Sequence, residues 1–185
     1  MSGRARLCIE PLHPKHERKG FVSGADELDR YLLQQAGQDA KRHVAVPFVL
    51  LDPATDRIAG YYTLSAFAVA PTELAPDIAK KLPRYPLVPT TLLGRLAVAT
   101  AFQGRGYGSL LLLDALRRTL RLASEAATIG VVVEARDDRA LAFYERYDFR
   151  PFPEHARRLF LPLAVIARLF ASQESENPPP RLDRW

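Results

Sequence analysis

A run of six residues, Gln103-Gly104-Arg105-Gly106-Tyr107-Gly108, places three glycines at alternate positions. Glycine has no Cβ, so such a backbone can curl until several N–H groups point at one anion. A leucine-rich helical pattern begins at once and runs from Ser109 to Ala123. The start of a helix adds free N–H groups and the positive end of its dipole. Loop and helix together form a phosphate-binding device made from backbone alone. A tight turn that merely joins a strand to a helix is the plainer reading, but one glycine would make that turn.

Spacing narrows the anion. A phosphate loop of the NTPase kind carries Lys followed by Ser or Thr, and no lysine precedes Ser109. A dinucleotide fingerprint reads G-x-G-x-x-G, whereas this loop reads G-x-G-x-G.

The elements that must hold the loop follow from periodicity. Arg4 to Glu10 suits a first strand, with Leu7 and Ile9 on one face and Pro11 and Pro14 ending it. Ser23 is a candidate N-cap for a helix over Ala25 to Ala36, with Leu28, Tyr31, Leu32 and Ala36 at core spacing. Val44 to Leu51 and Arg57 to Val69 are β-rich and flank a turn, which predicts an antiparallel hairpin. Pro71 to Pro89 holds five prolines and reads as a connection with a short helix at Asp77 to Lys81. Thr90 to Val98 is the strand that enters the glycine loop. In the helix after the loop, Leu112, Leu113, Leu116 and Leu120 share one side, and Asp114, Arg117, Arg118 and Arg121 the other. Ile129 to Ala135 suits a strand covered on both faces. Asp137 or Asp138 can cap a helix reaching Tyr147, with Ala140, Phe143, Tyr144 and Tyr147 on one stripe. Phe149 and then Arg158 to Leu161 suit closing strands, and a short helix follows Pro162. The order β, α, three β, α, β, α, two β predicts an α/β (α+β) fold with a mixed sheet and helices on both faces. One domain over residues 1–170 and a flexible tail over 171–185 are expected.

Bulk properties bound the class. A chain of 185 residues with 48% apolar and 25% charged content suits one soluble domain with a substantial core. No apolar run approaches the roughly 18 residues of a membrane span, and Met1 to Leu12 lacks the apolar segment of a signal peptide. A cytoplasmic protein is expected. Cys8 stands alone, and His13, His16, His43 and His155 show no ligand spacing, so no metal is expected. The net charge of +5 suits a polyanionic partner or simply a basic surface.

Gln103 to Gly108, the Leu96-Ala97-Val98 strand before it and Ala140-x-x-Phe143-Tyr144 after it resemble the GNAT N-acetyltransferases over about residues 4–162. The resemblance implies the GNAT fold and acetyl-CoA as cosubstrate. It lays the donor along Leu96, Ala97, Val98, Gln103, Gly104, Arg105, Gly106, Gly108 and Ser109. A narrower resemblance, carried by 60–65, 81–86, 93–98 and 142–145, is to the TacT-type GNAT toxins. It implies acetylation of the α-amino group of aminoacyl-tRNA, a small ribbon-helix-helix antitoxin, a possible homodimer, and DNA contact only through the antitoxin. Tyr147-Asp148-Phe149 departs from the family's aromatic-Gly-Phe.

Acetyl transfer requires an amine lone pair, a held thioester and a proton for the departing thiolate. Tyr144 is the candidate general acid; the bland alternative is a core tyrosine. Glu134 could act as a base, although an edge or ion-pair role suits it better. A tRNA acceptor would draw on Lys80, Lys81, Arg84, Arg95, Lys41 and Arg42 for phosphate contacts. Two other readings stay open: an acetyltransferase for a small amine, peptide or protein, and a non-enzymatic GNAT module that binds a partner.

Overall fold

The computed structural model describes residues 7–176. Seven strands form one sheet: β1 (Cys8–Pro11), β2 (Val46–Leu51), β3 (Ile58–Val69), β4 (Val88–Val98), β5 (Gly130–Glu134), β6 (Arg150–Phe152) and β7 (His155–Pro162). Their spatial order is β1-β2-β3-β4-β5-β7-β6. Only β4 and β5 run parallel; every other neighbouring pair is antiparallel. The mixed sheet follows the expected element order.

Helices cover both faces. On one face α4 (Tyr107–Leu122), α5 (Asp138–Glu145) and α6 (Leu163–Glu176) close over Leu50, Tyr62, Leu93, Val131 and Val133. On the other, α1 (Asp26–Arg30), a π turn (Tyr31–Gln35) and α2 (Ala36–Lys41) cover Val49, Tyr61 and Ala97. The short α3 (Pro76–Ala79) belongs to a region that packs Leu74, Ile78 and Leu82 against Val69, Val88, Val132 and Phe160. Successive strand residues point to opposite faces, which is why Tyr61 and Tyr62 lie in different cores. In β5, Val131, Val132 and Val133 are all buried, as expected for a strand covered twice.

Several boundaries differ from the sequence reading. Ser23 does not cap α1: Ala25 holds that position, and Ser23 gives both its N–H and its hydroxyl to the Asp29 carboxylate. Leu7 is exposed and precedes β1, whose last residue, Pro11, ends it as expected, on an edge strand. The upstream part of that expected strand, 4–6, lies outside the described residues. Asp137 caps α5, its Oδ1 accepting from Ala140 N–H at 2.8 Å. Asp114 and Arg118 are not on a purely solvated side. Tyr62 donates its hydroxyl to Asp114 Oδ2 at 2.6 Å, and Arg118 Nε donates to the same oxygen at 2.8 Å. Helix α6 continues through Glu176, so the first residues of the expected tail are helical; 177–185 lie outside the described residues.

Candidate active site

The site starts at a defect in β4. Pairing with β3 steps from Thr63↔Arg95 to Leu64↔Leu93, which leaves Gly94 as an extra residue. An extra residue bends its strand and interrupts the ladder. On its other side β4 pairs with β5 only from Thr91 to Leu93. Beyond the bulge the two parallel strands part, and β4 from Gly94 to Val98 borders a gap.

The backbone groups that face the gap follow from the ladder. Ala99 N–H donates to Ala59 carbonyl at 2.9 Å, so in this register Ala59/Ala99 and Tyr61/Ala97 are the hydrogen-bonded pairs. The alternate residues, Leu96 and Val98, therefore turn their N–H and C=O groups towards the gap. Ala97 does the opposite: its backbone bonds β3, and its side chain is buried in the other core. Of the three strand residues expected to hold the donor, Leu96 and Val98 turn their backbone to the gap and Ala97 does not.

At its end β4 runs through a 3-10 turn (Thr100–Phe102) into the glycine loop. Gly104 and Gly106 have φ of +76° and +80°, a region where a Cβ is strained. A Cβ at either would meet nothing within 4 Å, so backbone torsion rather than crowding demands glycine, and the loop opens outward. Gly106 is also the N-cap of α4 and brings no side-chain acceptor to it. The first N–H groups of α4, at Tyr107, Gly108 and Ser109, thus lack intrahelical partners. Arg105 is exposed beside them, with its guanidinium 5.4 Å from the Phe102 ring centre. Gln103 behaves differently. Its side-chain amide donates to Ser23 carbonyl at 2.8 Å and to Val98 carbonyl at 3.0 Å.

Helix α5 walls the same region. A Cβ on Gly108 would lie 3.8 Å from the Phe143 ring and 3.9 Å from Val98 Cγ2. Tyr144, next in sequence, is 7% exposed and packs its ring on Phe143 and Phe149 at 5.2 and 5.4 Å. Burial pushes its phenol well above the usual tyrosine range. Its hydroxyl has no hydrogen-bond partner among the described residues, yet it is not sealed. Thr90 Oγ1 is the enclosed side-chain polar atom that lacks a partner there. Unpaired N–H groups at the loop, the backbone of Leu96 and the N–H of Val98 facing the gap, and an unpaired phenol fit a phosphorylated thioester lying along β4.

The basic residues divide by position. Arg95, at the bulge, stacks its guanidinium 3.6 Å from the Tyr31 ring centre on the α1 face. It forms no ion pair among the described residues. Lys80, Lys81 and Arg84 are exposed at the β3–β4 connection, and Lys41 and Arg42 are exposed at the end of α2. Both groups lie towards the Val69/Val88 end of the sheet, away from the glycine loop. Glu134 is exposed at the end of β5 with no partner among the described residues. Cys8 is exposed on the edge strand. His16 is buried, with Nδ1 accepting from His13 N–H and Nε2 donating to Glu10. No group of three potential metal ligands occurs among the described residues, and none of their helices is long and apolar enough to cross a membrane. Sequence reading missed the bulge, the Gln103 contacts and the Tyr31 platform. An isolated glycine inside the β-rich Leu92-Leu93-Gly94-Arg95 run was the signal for the first.

Comparisons with known proteins bear on this geometry. The family model described as an acetyltransferase (GNAT) domain matches residues 48–151. The chain is 35% identical over 141 residues to the tRNA-acetylating toxin of Mycobacterium tuberculosis, covering 76% of this chain and 82% of that protein. It is 26% identical over 176 residues to a probable toxin TacT of Sinorhizobium fredii, covering 91% and 97%. The toxin AtaT complexed with acetyl-methionyl-tRNAfMet superposes with a TM-score of 0.82 at 27% identity, covering 89% of this chain and 99% of that one. A mutant AtaT bound to the C-terminus of the antitoxin AtaR gives 0.76 at 25% identity, covering 89% and 98%. The bulged strand, the parting of β4 from β5 and the glycine loop opening α4 all lie within the matched segment: this chain belongs to the GNAT family of acetyltransferases.

Proposed function

We propose that this chain is the toxin of a toxin–antitoxin pair and moves an acetyl group from acetyl-CoA to the α-amino group of an aminoacyl-tRNA, thereby blocking translation. The observation that carries the reading is the likeness, along nearly the whole chain, to a toxin captured with an acetylated methionyl-tRNA. The neutralising partner is a small ribbon-helix-helix antitoxin, through which alone the complex meets DNA. The toxin acts in the cytoplasm, and a homodimer is its working form.

When bound, acetyl-CoA supplies the acetyl group on an activated thioester. The N–H groups of Gly104 to Ser109 receive its phosphates, with the α4 dipole behind them. Leu96, by its N–H and C=O, and Val98, by its N–H, hold the acyl arm with backbone hydrogen bonds across the gap. Tyr144 keeps its proton at neutral pH and delivers it from its hydroxyl to the departing sulfur. The acceptor amine needs no dedicated carboxylate, because an esterified amino acid has a less basic amine than lysine. Arg95, Lys80, Lys81, Arg84, Lys41 and Arg42 contact the phosphates of the acceptor stem.

Salt tests the acceptor class. Phosphate contacts release counterions, so affinity for RNA falls steeply as salt rises. KM for the charged tRNA is expected to rise on the order of a hundredfold between 50 and 200 mM salt, at fixed saturating acetyl-CoA. A KM that stays flat would contradict a polyanionic acceptor and favour a small amine.

A further inference from the structure

The Gln103 side-chain nitrogen has no hydrogen left to give a ligand. Its NH₂ group has two hydrogens, and each is engaged, one by Ser23 carbonyl and one by Val98 carbonyl. The orientation of the amide is set by this pair, since its oxygen would be repelled by both carbonyls. A second bond, Thr100 N–H to Val22 carbonyl at 2.8 Å, runs alongside. These two contacts join the segment before the glycine loop to a segment about 80 residues earlier in the chain.

The earlier segment leads directly into α1. Ser23 is pinned to Asp29 by two hydrogen bonds. Tyr61 donates its hydroxyl to Leu28 carbonyl at 2.8 Å and so fastens α1 to β3. The next turn presents Tyr31, the platform on which Arg95 lies. A continuous path therefore runs from the loop through Gln103, Ser23 and α1 to Arg95, and returns along β4 through Val98.

We propose that Gln103 is a positioning residue that straps the donor loop to α1, so that seating the acetyl donor and stationing Arg95 are coupled. The donor half rests on the reading of the glycine loop as the acetyl-CoA site. Chemistry explains why the residue is glutamine. One terminal nitrogen must give two hydrogens at this reach. Arg can do so as well, Asn is one carbon short, and Glu has no hydrogen to give.

Amide hydrogen exchange reads the strap without any acceptor, because local opening sets the rate. In the unliganded protein, Gln103→Leu is expected to speed exchange in both 22–30 and 98–106 by roughly tenfold, the scale of two lost hydrogen bonds. Gln103→Arg should stay close to wild type. Saturating acetyl-CoA should slow exchange at 104–110 and also at 22–30 in the wild type, but only at 104–110 in Gln103→Leu. Unchanged exchange at 22–30 in unliganded Gln103→Leu would overturn the strap, and so would equal protection of 22–30 by acetyl-CoA in both proteins. If acetyl-CoA protects nothing in the wild type, the donor-site reading fails, and the unliganded comparison still decides the strap. Should Gln103→Leu fail to fold, Gln103→Glu carries the same expectations.

Discussion

Tyr144 combines two properties that a proton donor to sulfur needs. Its ring is fixed between Phe143 and Phe149, and its hydroxyl has no hydrogen-bond partner among the described residues. Burial raises its pKa above the usual value, so the protonated form that must act persists past about pH 10, the ordinary tyrosine range. Tyr144→Phe removes the proton and keeps the packing. It is expected to lower kcat on the order of 10²-fold, equivalent to about 2.7 kcal/mol, with acetyl-CoA affinity by calorimetry unchanged. The sign of the pH dependence follows. The rate should rise as the acceptor amine loses its proton and then stay level to about pH 9.5. A fall that begins near pH 8 in rapid-mixing assays would remove Tyr144 as the acid. At this scale the sequence was informative where function depends on local geometry. Gly104 and Gly106 sit at positive φ, as their spacing suggested. It was uninformative for Gln103, whose partner lies at Ser23, and for Arg95, whose platform is Tyr31. Both depend on contacts between distant segments, and no local pattern encodes those.

At the scale of elements, the gap between β4 and β5 depends on one surplus residue. Deleting Gly94 would keep the pairs Thr63↔Arg95 and Tyr62↔Leu96 but make them continuous with Leu64↔Leu93, which removes the bend that an extra residue puts into β4. Without that bend β4 would run on beside β5, and the gap that Leu96 and Val98 border would narrow. The deletion is expected to weaken acetyl-CoA binding by at least about a hundredfold, with the far-UV spectrum retained. Gly94→Ala is the control. It keeps the extra residue, and its Cβ would stand 3.2 Å from Thr63 Oγ1, so binding should stay within roughly threefold of wild type. Equal binding by the deletion and by wild type would refute the role of the bulge. The order of elements was legible because strand and helix periods differ and the apolar stripes are clean. Boundaries were less so. The helix expected over 25–36 runs on through a π turn to Lys41, and Ser23 serves Asp29 rather than a cap. Cap and turn geometry is decided by what packs nearby, not by residue type alone.

Across the whole molecule, β4 acts as an axis with opposite chemistry at its two ends. Its C-terminal end leads to the glycine loop and the unpaired N–H groups that open α4, and its N-terminal end lies by the exposed cations Lys80, Lys81 and Arg84. Arg95 stands between them at the bulge. For the donor half, the glycine loop alone pointed to an anion, and the preceding strand with the family resemblance pointed to acetyl-CoA. The acceptor half was not legible, because exposed lysines and arginines look the same whether they meet RNA or water. In the proposed reaction two anionic substrates approach from opposite ends of one strand, and their reacting atoms meet at the gap. The measurement that bears most directly on it is transfer of labelled acetyl from acetyl-CoA to tRNA, followed by release and mass analysis of the amino acid. The account predicts label on the α-amino group of a charged tRNA and none on the same tRNA stripped of its amino acid. Absence of label on every charged tRNA, or equal label on charged and uncharged tRNA, would contradict it.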